Sequence, residues 1–509
     1  MNHRTTSRIR IGAVAATVAV CGSIALAGTA QAAVVTDTSV LRGAVTVDGV
    51  KQHLAAFQAI SDANGGNRSA GTPGHVESVA YVQDLLDDAG YDTWLQTFSY
   101  ENVTILGSSL AQTAPTPTTY AENVDYAPMS FTGPGDVIAP VTAVDINLVG
   151  DRASTSGCED ADFAGFPAGH IALIQRGTCT FGEKADNAAE AGASGAIIFN
   201  QGNGGPDRTD LFGGTLGDFA RDIPVVSVSF PQGEAWANTV GLTLHLAIQT
   251  EVDEITTDNL LADTPTGRID RTVVVGGHLD SVDEGPGIND NGSGTATILE
   301  TALQMADLGI DPENRVRFAF WSGEEDGLIG SSYYVSQLST REVKQHALNL
   351  NFDMVGSPNA VNFVYDGDGG AFGTAGPNGS GIIEGVFEDF FASEGAFTEP
   401  TEFDGRSDYF GFIEAGIPAG GLFTGAEGIK TAEQAVLFGG TAGEAYDPCY
   451  HAACDTYANI NDATLDIMSD AIAHSTLTFA ETTSAVTGTA KGKAKGQIEL
   501  EFKGSHAVR

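Results

Sequence analysis

Thr272-Val-Val-Val-Gly-Gly-His-Leu-Asp-Ser281 is an apolar run that ends in an imidazole and a carboxylate, and its reading decides the fold. β-Branched residues without polar alternation suit a strand covered on both faces. Two further runs follow, Val316-Arg-Phe-Ala-Phe320 and Leu348-Asn-Leu-Asn-Phe352, with helical spacing over 295–308 and 329–338 between them. Strand, helix, strand, helix in that order predicts an α/β domain with a largely parallel sheet. Ligands of such sheets gather beyond the carboxyl ends of the strands, and the polar residues of this sequence stand there.

His278 follows the first strand, and the carboxylate of Asp280, two residues on, is placed to accept the other ring N–H and fix its tautomer. Asp290 lies in Gly287-Ile-Asn-Asp-Asn-Gly-Ser-Gly294, a turn of small residues ahead of a helix. The second strand runs into Trp321-Ser-Gly-Glu-Glu325, adjacent acids whose repulsion is costly unless cations are near or water solvates them. Asp353 ends the third. A second imidazole, His451, sits in Asp447-Pro-Cys-Tyr-His-Ala-Ala-Cys-Asp455. Together these N and O donors suit zinc, and also cobalt or manganese. Taken singly, each has a commoner structural use: a loop histidine is usually structural, adjacent glutamates are usually solvated, and Asp-Asn-Gly is usually a turn. No Gly-x-Ser-x-Gly elbow and no His-Glu-x-x-His helix is present.

Working outward, residues 1–32 carry Arg4, Arg8 and Arg10, an apolar run over 11–27 and a small-x-small end at Ala30-Gln-Ala32, the form of a cleaved export signal. The run is too short and interrupted for a membrane anchor. Its loss would shift the formal charge from −42 to −45, a balance that repels nucleic acid and anionic membrane. Export agrees with the remaining cysteines, which form two local pairs, Cys158 with Cys179 and Cys449 with Cys454. Sequence alone permits three connectivities, and a zinc–thiolate site lacks its usual Cys-x-x-Cys spacing. The apolar spacing predicts a helix over 76–89, and short β-rich runs from about 138 to 246, with one helical stretch over 184–191, read as an inserted module. The last residues, rich in Lys and Gly, read as a flexible basic tail with a short strand over 498–502.

In this order, Asn64-Gly-Gly-Asn-Arg68, Gly276-Gly-His-Leu-Asp-Ser-Val282, the Asp290 turn, Asn351-Phe-Asp-Met354, Asp404-Gly-Arg-Ser-Asp408 and Asp447-Pro-Cys-Tyr-His451 resemble the secreted bacterial leucine-type aminopeptidases of the co-catalytic di-zinc exopeptidase family, over residues 50–105 and 259–480. The inserted stretch resembles a protease-associated domain, through Ile174-Gln-Arg-Gly-Thr-Cys-Thr-Phe181 and Ala191-Gly-Ala-Ser-Gly-Ala-Ile-Ile-Phe-Asn200. The resemblance implies a mixed, largely parallel sheet flanked by helices, the zinc-exopeptidase fold. It divides the chain into a signal (1–32), an N-terminal segment (33–137), the insertion (138–250), a catalytic domain (251–484) and the tail (485–509). It further implies two zinc ions, one on His278 and Asp353, one on Glu325 and His451, with Asp290 bridging. Glu324 falls at the general-base position, Tyr450 where a phenol stabilises the oxyanion, and Arg406 with Gly405 at the pocket for the substrate's free amino terminus. The substrates implied are peptides or proteins with bulky apolar amino-terminal residues, met by a monomer. Some relatives bind calcium near the C-terminal helix, where Asp466 and Asp470 are one turn apart. A carboxypeptidase, a single-zinc glutaminyl cyclase and a non-catalytic receptor are the rival readings. Two filled metal sites disfavour the cyclase, and receptors of this kind typically lose ligands.

Overall fold

The structure is a computed structural model that describes residues 36–488 apart from 204, 206, 207 and 218. The expected signal and the strand over 498–502 lie outside the described residues. The strand Arg268–His278 is the axis of the sheet: Asn314–Trp321 and His346–Phe352 flank it in parallel, and Ala419–Phe423 continues the parallel run. Phe363–Tyr365 and Glu399–Thr401 extend one side, and Asn314–Trp321 meets the end of Thr243–Asp263 antiparallel on the other. The mixed, largely parallel sheet is as expected.

Successive side chains of a strand face opposite ways, so each strand feeds two cores. Val273 and Val275 join Phe318, Phe320 and Leu350 against the helices Val47–Ala63, Gly294–Asp307 and Asp462–Glu481. Val274 joins Ala319, Trp321, Tyr334 and Phe412 on the other face. The helix expected over 76–89 runs Pro73–Asp88, because Thr72 accepts the His75 N–H as N-cap and Pro73 supplies a preset φ at the first position.

The inserted region has its own parallel strands, Ile171–Gln175, Gly195–Phe199 and Val225–Val228, beside the helix Phe181–Glu190. The expected boundary at 138 falls inside the strand Gly135–Val144. The region joins the peptidase sheet through a two-stranded antiparallel ribbon of Asp92–Ala114 and Thr243–Asp263, paired from Asp92↔Asp263 to Ala114↔Thr243. Sequence reading did not find this ribbon; most of its central side chains are exposed or half-buried, so no apolar run marks it. Both expected disulfides form, Cys158–Cys179 and Cys449–Cys454. Among the described residues no helix is long and apolar enough to cross a membrane.

Leu41 and Val45 are buried in the main core, so residues near the start of the described chain belong to the domain. Beside them Arg42 reaches Glu394 at 2.8 Å and Asp470 at 3.5 Å. Here a guanidinium stands where calcium was expected, and neither Asp466 nor Asp470 joins a three-ligand group among the described residues.

Cys158 and Cys179 are 21 positions apart, so their bond removes chain entropy from the unfolded state. The double substitution Cys158→Ser/Cys179→Ser is expected to cost roughly 3 kcal/mol on the loop-entropy account, read as a lower urea midpoint of the inserted region.

Candidate metal centre

Three strand ends and one loop meet at the carboxyl edge of the sheet. His278 is the last residue of its strand, Asp353 follows Phe352, and Glu324 and Glu325 follow Trp321. Asp290 sits in the tight turn Ile288–Ser293, entered through Gly287 at φ +60°, where only glycine is at ease. His451 comes from the loop closed by Cys449–Cys454. All six side chains are buried.

Asp290 spans the two imidazoles. Its Oδ1 is 3.3 Å from His278 Nε2 and its Oδ2 is 3.3 Å from His451 Nε2. Asp353 Oδ1 lies 3.3 Å from His278 Nε2, and Glu325 Oε2 lies 3.0 Å from His451 Nε2. Glu324 Oε2 stands back at 3.9 Å from His278. Donor atoms of His278, Asp290 and Glu325, and of His278, Glu324 and Asp353, lie within 4.8 Å of one another. The groups overlap at His278, so the ligand atoms form one continuous cluster.

The electrostatics call for cations. Burial, then the neighbouring Asp290, pushes Glu325 up to about 7, against the pull of His451. Burial also raises Glu324 well above the carboxylate range, with Asp353 and Glu325 adding to it against the attraction of His278. Burial disfavours charge on His451, yet Glu325 and Asp290 outweigh it and raise the ring to about 10. His278 Nε2 and Asp353 Oδ1 face each other without a hydrogen bond on either atom. Two imidazole nitrogens and four carboxylates, converging and buried, fit zinc.

The partner of His278 differs from expectation. Its Nδ1–H donates to the backbone carbonyl of Asp280 at 3.1 Å, while the Asp280 carboxylate is 3.7 Å away. The backbone after the strand turns the Asp280 carbonyl to the ring, while the carboxylate reaches the next loop and accepts the N–H groups of Glu324 and Glu325 at 3.4 and 3.3 Å. Either way Nδ1 carries the proton and Nε2 offers the lone pair.

Three supports escaped sequence reading. Asp455 accepts the N–H of Asn289 at 2.9 Å and of Asp290 at 2.9 Å, fixing the bridging residue. Burial, then the nearby Asp447, raises the Asp455 carboxyl to about 8. Arg68, fully buried, donates to the carbonyls of Leu279, Pro286 and Gly287 and so ties down the loop between His278 and Asp290. Ser407 Oγ donates to Asp353 Oδ2 at 2.6 Å. Arg68, Ser407 and Asp455 all lie in or beside quoted motifs, but a motif names residues without saying which atoms they reach.

Tyr450 and Arg406 line the same open pocket, with Met354, Tyr365, Phe423 and Ala426 supplying apolar wall. Arg406 donates to Tyr450 Oη at 3.1 Å and forks onto Glu427 at 2.8 and 3.4 Å. Gly405 contributes through its backbone, its N–H donating to Tyr409 Oη at 2.8 Å.

The sequence pattern of peptidase family M28 matches residues 259–476 and that of the PA domain matches residues 137–236. An aminopeptidase of Pseudomonas aeruginosa is 50% identical over 439 residues, which cover 86% of this chain and 81% of that protein. The chain belongs to peptidase family M28. Leucine aminopeptidase 2 of Trichophyton tonsurans is 38% identical to this M28 chain over 445 residues, covering 86% of it and 85% of the relative. Among solved structures, the aminopeptidase from Aneurinibacillus sp. strain AM-1 superposes with a TM-score of 0.65 at 25% identity, covering 86% of the M28 chain and 95% of the other. A zinc aminopeptidase from Bacillus subtilis gives 0.52 at 25% identity, covering 85% and 94%.

Asp455→Ala removes the acceptor that holds Asp290. It is expected to weaken metal retention by about 10- to 100-fold, read as zinc lost at lower chelator concentration than from the unaltered chain.

Proposed function

We infer that this metallo-aminopeptidase removes residues one at a time from the free amino terminus of peptides or proteins, using two zinc ions. The observation that carries the reading is Asp290, which offers one oxygen to each of two histidine-centred groups. His278 with Asp353 would hold one ion, His451 with Glu325 the other, and Asp290 both. Bound there, the ions supply Lewis-acid stabilisation of the carbonyl and lower the pKa of the attacking water.

The remaining work falls to the chain. Glu324 lies behind the cluster, close to His278 without being its nearest carboxylate. From there its carboxylate can take the water's proton and return it to the departing amine. Tyr450 borders the same pocket, and its phenol is the donor for the oxyanion. Arg406 can only donate, so the phenol's own hydrogen is not spent on their contact. An ammonium at the substrate's end is favoured by the carboxylates of Glu324, Asp353 and Asp404 around the pocket. A carboxypeptidase would need a cation for the substrate's carboxylate, and Arg406 is already forked onto Glu427, which favours the amino-terminal reading. Met354, Tyr365 and Phe423 support a bulky apolar first residue. The leader-like residues 1–32 and two disulfides support secretion.

Hydrolysis of aminoacyl-4-nitroanilides tests the reading. Release is expected from free-amino substrates, strongest for leucine, absent after N-acetylation, abolished by 1,10-phenanthroline and restored by zinc. Glu324→Gln should keep both ions and lose about 10²- to 10⁴-fold in kcat. Loss of zinc in that variant would assign Glu324 to the metal instead, and an inactive, zinc-loaded unaltered chain would favour a binding protein.

A further inference from the structure

The ribbon that carries the inserted region lies against the loop that bears Glu324 and Glu325. On its inner face Phe98 and Tyr100 come from one strand and Thr257 and Asn259 from the other, all buried. Asn259 Oδ1 accepts the Ser322 N–H at 3.1 Å, and its Nδ2 donates to the Gly330 carbonyl at 2.8 Å. The hydroxyls of Thr257 and Ser322 meet at 2.7 Å. Midway between these anchors the Tyr100 hydroxyl donates to Asp326 Oδ2. The Tyr100 ring also covers the loop backbone at Gly323, where φ is +69° and a Cβ would come within 3.2 Å of the hydroxyl. The loop is therefore held at its start, middle and end by the ribbon, and from the other side by the Asp280 carboxylate on the Glu324 and Glu325 amides.

We propose that Tyr100, Thr257 and Asn259 are positioning residues for the general base, so that the ribbon which carries the inserted region also sets the placement of Glu324. The inference rests on the role given to Glu324 above. A base must lie within hydrogen-bond reach of the proton it takes, and a shift of about 1 Å in a reacting group can cost about 10²-fold. Every strand residue from Asp92 to Ile105 is paired across the ribbon, so the connection beside the loop is a paired element and not a slack linker. The outer face is different: the hydroxyls of Ser99 and Thr256 pair with each other at 2.8 Å in solvent, away from the loop.

The test uses the full chain loaded with zinc and a leucine anilide. Tyr100→Phe and Thr257→Val are each expected to lower kcat about tenfold, with KM, bound zinc and Tm as in the unaltered protein. Thr257→Ser, which keeps the hydroxyl, restores kcat, and Ser99→Ala leaves it alone. Unchanged kcat in Tyr100→Phe and Thr257→Val, or a loss that follows zinc content or Tm, overturns the inference. An inactive unaltered chain overturns the general-base reading and this inference with it, whereas an active one with indifferent variants overturns this inference alone.

Discussion

Carboxylates brought together away from bulk solvent repel one another, and at the carboxyl edge of this sheet the buried side chains of Asp290, Glu324, Glu325 and Asp353 cluster with two imidazoles. Such a cluster is tolerable only with positive charge inside it. Much of the neighbouring structure serves to keep the cluster assembled. Asp455 fixes the Asp290 turn from below, Ser407 holds Asp353, Asp280 grips the amides of Glu324 and Glu325, and Arg68 pins the intervening loop by three carbonyls. Each of these supports is a hydrogen bond to backbone or to a carboxylate oxygen of the cluster, so the fold itself sets the geometry.

The pocket beyond the cluster follows the same logic of pairing. Arg406 would place an uncompensated cation beside the site, but Glu427 takes its fork and Tyr450 its remaining reach. Around them the pocket is lined by the carboxylates of Glu324, Asp353 and Asp404 and by an apolar wall of Met354, Tyr365 and Phe423. The inserted region stays outside this chemistry and touches it through the ribbon, whose buried face packs on the loop of Glu324 while its outer face meets water.

Much of this was legible in the primary structure where one physical rule dominates. The strand Arg268–His278 announces itself through its second half, 272–278, where both faces are covered and the run Val273-Val-Val275 is apolar without alternation. Helix positions were readable from periodicity, and their exact starts came from caps such as Thr72. The ribbon Asp92–Ala114 with Thr243–Asp263 was not, because a strand with much of its surface in water needs no apolar run, and its partner lies more than a hundred residues away. The surroundings of Asp470 were hidden for a similar reason: one helical turn brings Asp466 near it, but only folding shows that Arg42 reaches it from the start of the domain.

The sequence by itself determined the kinds of ligand atoms, their order on successive strand ends and the alternation that makes the sheet, since these depend on local side-chain chemistry and on periodicity. Only the tertiary structure decided that Asp290 reaches both histidines, that the Asp280 carbonyl and not its carboxylate meets His278, and that Arg68, Asp455 and the ribbon hold the site. Those facts concern distances between atoms far apart along the chain, and such distances exist only once the strands have packed.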